Sequence, residues 1–275
     1  MTDRYAVIGN PVAHSLSPDI HAAFAAQTGQ AMHYDHLPAE PDAFAATARA
    51  FFEAGGRGLN VTVPFKLDAA DFADRLSDRA RAAGAVNTLI AHDQGRIEGD
   101  NTDGAGLLRD LQHNRAVTLT GRRLLVLGAG GAAQGVIGPL LAAEPANLII
   151  ANRTASKAQS MAEYFAVQGP VRGIGFADLA DSEPVDVLIN ATSAGLAGAL
   201  PDLPASLLAA GATAYDMVYG AASRPFQDWA RQQGAAIICD GLGMLVEQAA
   251  ESFHRWRGVR PDTAPVLRQL RAGTG

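Results

Sequence analysis

The stretch 124–133 constrains the fold of this chain more than any other part of its sequence. Residues 124–127 are all apolar and predict a buried strand, which runs directly into Gly128-Ala129-Gly130-Gly131-Ala132-Ala133 before a helical pattern begins. In this G-x-G-x-x-A turn the first glycine permits a tight bend, the second lets the backbone approach a pyrophosphate, and the last small residue lets helix and strand pack closely. The motif predicts a Rossmann-type dinucleotide-binding unit. The alternative is an ordinary tight turn between a strand and a helix.

The residues after the next predicted strand indicate which dinucleotide binds. An NAD site usually has an acidic residue about 20 positions further on, which binds the ribose hydroxyls. Here the strand ends in Asn152-Arg153-Thr154, Lys157 follows, and the stretch contains no acid. A guanidinium, a hydroxyl, an amide and an ammonium favour a 2′-phosphate, so we predict NADP(H) rather than NAD. Lys157 also has a plain interpretation as a solvated helix residue.

Composition argues against several classes of protein. The 275 residues are 48% apolar and 18% charged, which is typical of a globular chain with one large core or two ordinary ones. A net charge of −6 without a basic run argues against nucleic acid and anionic membranes as partners. The uncharged stretch 124–143 is about as long as a membrane span, but its glycines and Pro139 favour a strand, a turn and a helix. One cysteine and no signal-peptide pattern predict a cytoplasmic setting.

Lysine is rare in this chain. Of the 22 lysine and arginine residues, only Lys66 and Lys157 are lysine. Since guanidinium does not lose its proton in proteins, these two positions are candidates for a titratable amine. The seven histidines are scattered, and His33, Asp35 and His36 have no clear partner set, so we predict no metal site.

Strand and helix patterns alternate in two successive runs. In the first run, strands are predicted at 5–8, 32–37, 59–63, 86–91 and 96–98, and helices at 18–27, 42–54, 69–83 and 103–113. In the second run, strands are predicted at 124–127, 147–151, 171–175, 185–190, 213–217 and 235–239. A last helix over 242–256 is expected to pack back on the first domain. We therefore predict two α/β domains with a cleft between them: a substrate-binding domain with a mostly parallel sheet (1–103 plus 241–275) and a Rossmann-type NADP-binding domain (104–240).

Polar residues stand near the ends of the first-domain strands, where ligands of open sheets bind. Residues 60–66, Asn-Val-Thr-Val-Pro-Phe-Lys, alternate polar and apolar until Pro64 removes a backbone donor. Similar polar segments occur at 14–18, 87–88 and 99–104. Each also has a structural interpretation: Ser17 and Asp103 as helix N-caps, Asn87 as a turn residue, and Lys66 as a lysine whose stem packs on apolar surface.

Taken together, these segments resemble the shikimate dehydrogenase family, over nearly the whole chain and in order. The motifs N-P-x-x-H-S-x-S-P, N-V-T-x-P-x-K, G-A-V-N-T and G-x-N-T-D-x-x-G stand at 10–18, 60–66, 84–88 and 99–106. The motifs G-A-G-G-A, N-R-T, N-A-T and D-G-x-x-M-L-x-x-Q-A stand at 128–132, 152–154, 190–192 and 240–249. No functional position departs from the pattern.

The resemblance implies NADPH-dependent, reversible reduction of 3-dehydroshikimate to shikimate, a step towards aromatic amino acids. It implies Lys66 as the proton donor, with Asp103 as its partner. The substrate-binding residues that it implies are Ser15, Ser17, Thr62, Lys66, Asn87, Asp103, Tyr219 and Gln248. The NADP(H)-binding residues that it implies are Gly128, Ala129, Gly130, Gly131, Ala132, Asn152, Arg153, Thr154, Lys157, Thr192, Met217 and Gly241.

Two alternatives remain at this point. One is a quinate/shikimate dehydrogenase of broader substrate and cofactor choice, since quinate differs from shikimate by ring saturation and one hydroxyl. The other is a non-catalytic NADPH sensor, which would have little need for Lys66 and Asp103. The expected partner is a small-molecule substrate, and the expected assembly is a monomer or a homodimer.

Overall fold

A computed structural model describes residues 2–192 and 200–273 of the chain. They form two compact units, the first from Met1–Gly106 with Leu245–Gly275, and the second from Leu107–Met244. The predicted functional boundaries, 1–103 with 241–275 and 104–240, lie close to these divisions and stay predictions. Residues 1, 193–199 and 274–275, which fall within the predicted domains, lie outside the described residues.

Strands and helices alternate along most of the described chain. The strands are β1 (Asp3–Gly9), β2 (Met32–Pro38), β3 (Gly56–Val61), β4 (Arg75–Leu76), β5 (Thr88–Ala91), β6 (Ile97–Asp100), β7 (Arg123–Leu127), β8 (Asn147–Asn152), β9 (Val171–Gly175), β10 (Val185–Asn190), β11 (Leu208–Asp216) and β12 (Ile237–Cys239). The helices are α1 (Ser17–Thr28), α2 (Phe44–Glu53), α3 (Lys66–Phe72), α4 (Asp78–Ala83), α5 (Asp103–Arg109), α6 (Gly131–Ala142), α7 (Ala155–Phe165), α8 (Arg224–Gln232), α9 (Leu242–Arg257) and α10 (Thr263–Gly273).

The first unit is built on a six-stranded sheet in the order β2-β1-β3-β5-β6-β4. The β2-β1-β3 side is parallel, and β5 runs antiparallel to both of its neighbours. Helix α9 packs its apolar face against α1, with Val246 and Phe253 in one buried cluster with Ile20 and Phe24. The packing predicted for the last helix is therefore confirmed for α9 from Leu245 onward, the part that belongs to this unit.

The second unit is built on a fully parallel sheet in the order β12-β11-β10-β7-β8-β9. This is the Rossmann order, in which two halves meet at the β7–β10 pair. The buried cores of β7, β8 and β10 are nearly continuous apolar runs because helices cover both faces of a parallel sheet. The Rossmann-type domain predicted from the glycine turn is confirmed.

The stretch 124–143 contains β7, the glycine turn and α6, as predicted. Helix α6 is largely buried within the core of the second unit. Among the described residues, no helix combines the length and the apolar composition that a bilayer span requires.

The stretch 69–83, predicted to be mostly helical, contains two separate helices, α3 and α4, with β4 between them. The carboxylate of Asp74 accepts a hydrogen bond from the Ile97 N–H at 2.6 Å, and the Asp74 N–H donates to the Ile97 carbonyl at 2.9 Å. These bonds draw the chain onto the edge of the sheet. Ser77 then caps α4 by accepting a hydrogen bond from the Ala80 N–H at 3.1 Å.

The strand predicted over 59–63 is also displaced. β3 ends at Val61, and Val63, expected on the buried face, is 65% exposed. Pro64 has no N–H to donate, and α3 begins two residues later at Lys66. Lys66 therefore stands at the start of a helix instead of at the end of a strand.

Candidate functional site

The glycine turn of the second unit has the geometry of a phosphate-binding loop. Gly128 has φ +103°, a conformation that favours glycine, and a Cβ there would lie 3.1 Å from the Ala191 carbonyl oxygen. Beyond Gly130 and Gly131 the space is open, since a Cβ on either would meet no atom within 4 Å. Gly130 occupies the N-cap position of α6 and has no side chain to cap it. The N–H groups of the first turn are thus available to a pyrophosphate.

Three other predicted cofactor residues lie at the same edge of this sheet. Thr192 is close to the glycine turn, 3.3 Å from where a Cβ on Gly128 would stand. The Met217 N–H donates to the Asn190 carbonyl at 2.9 Å. Gly241 approaches the Met217 carbonyl so closely that any Cβ would overlap it. The structure therefore brings together residues from the ends of β7, β10, β11 and β12.

The predicted 2′-phosphate residues follow β8. The Asn152 side-chain amide donates to the Thr154 carbonyl at 3.0 Å, which shapes the turn into α7. Arg153, Thr154 and Lys157 are exposed, and neither cation forms an ion pair with another described residue. Beside Lys157 lies a cavity of about 370 Å³ that Ala129 of the glycine turn also lines. Two unpaired cations on this surface can bind a doubly charged phosphate.

In the first unit, Lys66 and Asp103 form a close pair. The Lys66 ammonium donates to Asp103 Oδ2 at 2.5 Å, and the two side chains are 18% and 7% exposed. Lys66 opens α3 and Asp103 opens α5, and the Val86 N–H holds the Lys66 carbonyl at 2.9 Å. An amine and a carboxylate in contact and largely shielded from water are suited to moving a proton.

The second carboxylate oxygen of Asp103 is bound by Asn87, which also contacts Gln248. The Asn87 side-chain amide donates to Asp103 Oδ1 at 2.8 Å, and Asn87 Oδ1 accepts from the Thr102 N–H at 2.8 Å. Gln248 Oε1 lies 3.3 Å from both Asn87 Nδ2 and Thr102 Oγ1. Four predicted site residues, Lys66, Asn87, Asp103 and Gln248, are thus joined in one buried cluster.

Three hydroxyl residues of this cluster do not appear among the predicted site residues: Thr88, Thr102 and Ser252. All are fully buried. Ser252 Oγ accepts from the Asn60 side-chain amide at 2.9 Å and lies 2.9 Å from Thr88 Oγ1. For Ser252, the sequence signal that could have indicated it is its spacing, because it lies one helical turn after Gln248 on α9.

The predicted carboxylate-binding serines lie together in the first unit. Helix α1 begins at Ser17, and Leu16 occupies the N-cap position, so the interpretation of Ser17 as the N-cap is wrong. Ser15 Oγ donates to Ser17 Oγ at 3.1 Å, and His36 Nε2 lies 3.0 Å from the Ser15 carbonyl. Ser17 is 4% exposed, and its hydroxyl contacts Ser15 instead of capping the helix.

The last two predicted substrate residues are Thr62 and Tyr219. Thr62 is half-buried directly after β3, and its N–H donates to the Ile8 carbonyl at 3.0 Å. Tyr219 belongs to the second unit and is half-buried after β11. Burial raises the pKa of the Tyr219 phenol, which keeps its hydroxyl as a hydrogen-bond donor.

The described residues contain no group of three or more histidine, cysteine or acidic side chains placed to hold a metal ion. A Rossmann-type unit with a glycine turn and a basic stretch, joined to a second α/β unit with a buried lysine–carboxylate pair, defines a two-domain nicotinamide-dependent oxidoreductase.

Comparison with known protein families identifies the family of oxidoreductases to which the chain belongs. The shikimate dehydrogenase substrate-binding domain matches residues 7–89, shikimate/quinate 5-dehydrogenase matches 110–197, and the shikimate 5′-dehydrogenase C-terminal domain matches 241–271. The chain belongs to the shikimate dehydrogenase family. The predicted resemblance is confirmed.

Individual relatives are similar over the full length. A shikimate dehydrogenase (NADP(+)) of Halorhodospira halophila is 59% identical over 99% of this chain and 100% of its own length. The crystal structure of an Ael1 enzyme from Pseudomonas putida has a TM-score of 0.90 at 46% identity, covering 98% of each chain. Shikimate 5-dehydrogenase of Thermus thermophilus, in complex with NADP(H) and shikimate, has a TM-score of 0.84 at 32% identity and covers 98% and 99% of the two chains.

Proposed function

We propose that this protein catalyses the reversible, NADPH-dependent reduction of 3-dehydroshikimate to shikimate. The observation that carries the proposal is the Lys66–Asp103 pair, 2.5 Å apart and nearly closed to solvent. Relatives named shikimate dehydrogenase (NADP(+)) that match nearly the whole chain support the choice of substrate and cofactor. A single buried cysteine accords with a cytoplasmic setting.

Lys66 acts as the proton donor in this proposal. When bound, NADPH supplies a hydride to the carbonyl carbon of the substrate. The Lys66 ammonium donates its proton to the carbonyl oxygen, so the carbonyl becomes a hydroxyl and Lys66 becomes a neutral amine. The ammonium forms again by taking a proton from water, to which the 18% exposed side chain has access. In shikimate oxidation the same groups act in reverse, with neutral Lys66 as the base.

Asp103 and Asn87 position the lysine. Asp103 Oδ2 accepts from the Lys66 ammonium, while Asn87 occupies Asp103 Oδ1 at 2.8 Å and fixes the plane of the carboxylate. A carboxylate with both oxygens held cannot rotate freely, so the ammonium keeps one direction. Gln248, which contacts Asn87, extends the same polar surface towards the substrate hydroxyls.

The substrate carboxylate is assigned to the pair of serines, Ser15 and Ser17, whose hydroxyls lie 3.1 Å apart. Two hydroxyls can each donate to one carboxylate oxygen. Thr62, as a half-buried hydroxyl, and Tyr219, as a protonated phenol, are the further donors that we assign to the substrate.

On the cofactor, the glycine turn 128–132 binds the pyrophosphate and Arg153, Thr154 and Lys157 bind the 2′-phosphate. The support is the uncapped N-terminus of α6 and the exposed, unpaired cations among the described residues after β8. Asn152 stands where an NAD site would have an acid. Thr192, Met217 and Gly241, at the ends of the other strands, are assigned to the nicotinamide half.

Initial rates of shikimate and quinate oxidation, each with NADP and with NAD, test the function. We expect rapid turnover only in the combination of shikimate with NADP. Comparable rates with quinate or NAD would contradict the dedicated enzyme and favour the broader quinate/shikimate dehydrogenase. No turnover in any combination, from folded protein that binds NADPH, would contradict catalysis and favour the sensor. Size-exclusion chromatography of the same sample reports whether it is a monomer or a homodimer.

A further inference from the structure

Asp216, the last residue of β11, is a buried acid that the proposed mechanism does not use. It is 0% exposed. Its Oδ1 accepts hydrogen bonds from the Asn190 side-chain amide and the Val218 N–H, both at 3.1 Å. Its Oδ2 has no partner among the described residues. Burial raises the pKa of Asp216 to about 7 against the effect of these two bonds, and the charge of Asp240 adds to the rise.

The partner Asn190 ends β10 and lies directly opposite Asp216 in the strand register. Its Oδ1 accepts from the Thr192 hydroxyl at 2.7 Å and from the Thr192 N–H at 3.1 Å. Its carbonyl accepts from the Met217 N–H at 2.9 Å. The Asp216–Asn190 pair therefore holds the chain after β10 and the chain after β11 in one arrangement.

We infer that Asp216 is a positioning residue for the nicotinamide half of the cofactor: through Asn190 and the Val218 N–H it sets the places of Thr192 and Met217. This inference rests on the proposed function. In the sheet order, β10, β11 and β12 lie on one side of β7, whereas β8, which carries Arg153, lies on the other. A dinucleotide that crosses the sheet at β7 places its adenosine half over β8 and its nicotinamide half over β10 and β11. Asp216 thus serves one half of the ligand only.

The test compares two ligands that share the adenosine half. Adenosine 2′,5′-bisphosphate contains the adenosine and the 2′-phosphate but lacks the nicotinamide, whereas NADP⁺ contains both. In Asp216→Ala, we expect the Kd of NADP⁺ to rise about tenfold, because a buried amide loses its acceptor, while the Kd of the bisphosphate changes by less than about twofold. Asp216→Asn keeps one acceptor oxygen in the same shape, and we expect it to restore most of the NADP⁺ affinity. Calorimetric titration of the full chain measures all of these values.

Two further variants keep the comparison decisive. Asp216→Leu fills a similar volume without an acceptor oxygen, leaves the contacts of Asn190 with Thr192 in place, and decides the matter if Asp216→Ala does not fold. Asp186→Ala is the matched control, since Asp186 lies on β10, accepts a backbone N–H from Arg123 at 2.8 Å and is not among the predicted site residues. Equal loss of affinity for both ligands, or no loss for NADP⁺, would overturn the inference. Absent shikimate turnover in wild-type protein that binds NADP⁺ would overturn the proposed function and leave this binding comparison readable.

Discussion

At the scale of the residue, the proposed chemistry depends on what surrounds Lys66. Its ammonium has one carboxylate oxygen at 2.5 Å, and the other oxygen of that carboxylate is held by Asn87. In the proposed mechanism this contact fixes the direction of the ammonium that donates the proton.

Replacing Lys66 tests its role. We expect Lys66→Ala to lower kcat by about 10²–10⁴-fold, the usual contribution of a positioned acid, with a small change in the KM for shikimate. Lys66→Arg keeps the positive charge but cannot release a proton, so we expect a similar loss. Steady-state rates at saturating NADP measure both. A nearly fully active Lys66→Arg enzyme, or a rise in KM alone, would contradict the acid–base role.

Arg153 is the residue that should set the cofactor preference. We expect Arg153→Ala to raise the KM for NADPH by about tenfold to a hundredfold, the effect of losing a charged hydrogen bond, and to leave the KM for NADH nearly unchanged. Arg172→Ala, which removes an exposed arginine of β9 in the same unit, is the control and should change neither value. Equal losses for both cofactors would place the 2′-phosphate elsewhere.

At the scale of the element, β6 is a buried strand that carries charge. Glu98 and Asp100 are nearly buried, and arginines from β4, α4 and α9 reach them. Arg79 of α4 binds both oxygens of Asp100, at 2.7 and 2.6 Å, and also Glu251 of α9 at 2.9 Å. Ion pairs therefore tie α4 and α9 to β6, directly before the segment that leads to Asp103.

Stability should depend on pH through this group. Burial raises the pKa of Asp100, but the hydrogen bond and charge of Arg79, with smaller effects of Ser77 and Arg255, outweigh it and lower the pKa below 3.8. A carboxylate with a lowered folded-state pKa stabilises the protein above its unfolded pKa, and that contribution is lost as the pH falls through the folded value. We therefore expect Arg79→Ala to cost about 3 kcal/mol near pH 7 and less near pH 3.

Urea unfolding at the two pH values measures the effect. Arg81→Ala is the matched control on the same helix, because Arg81 and its partner Asp78 are both exposed, and we expect a cost below about 1 kcal/mol. An Arg79→Ala cost that does not change with pH would mean that packing of the arginine, instead of its charge, stabilises this part of the fold.

At the scale of the whole molecule, the chain passes from one unit to the other along α5 and returns along α9. The first-unit part of α5 begins with Asp103, and the first-unit part of α9 contains Gln248. Residues separated by 145 positions (248 minus 103) thus belong to one buried cluster, joined through Asn87. In contrast, the predicted cofactor-binding residues of the second unit all come from one continuous segment of the chain, 128–241.

The contrast between distant contacts in the first unit and local patterns in the second explains which parts of the fold and site were predictable. The second unit follows from local patterns, because continuous apolar strands and a glycine turn are short-range features. In the first unit, the break between α3 and α4 depends on the hydrogen bond between Asp74 and Ile97, which lies on the distant strand β6. The periodicity of the sequence does not reveal such a contact. The motifs at 84–88 and 99–106 contain Thr88 and Thr102, but these two were not among the predicted site residues, and Ser252 lies outside the motifs.

The sequence by itself determined the class of both units, the NADP-type turn and the family, since each depends on residue types at fixed short spacings. Only the tertiary structure decided that Asn87 binds the carboxylate of Asp103, that Leu16 and not Ser17 occupies the N-cap position of α1, and that Asp216 faces Asn190. The physical reason is that backbone periodicity and steric limits act between near neighbours in the chain. A hydrogen bond between distant residues exists only after packing has placed their elements side by side.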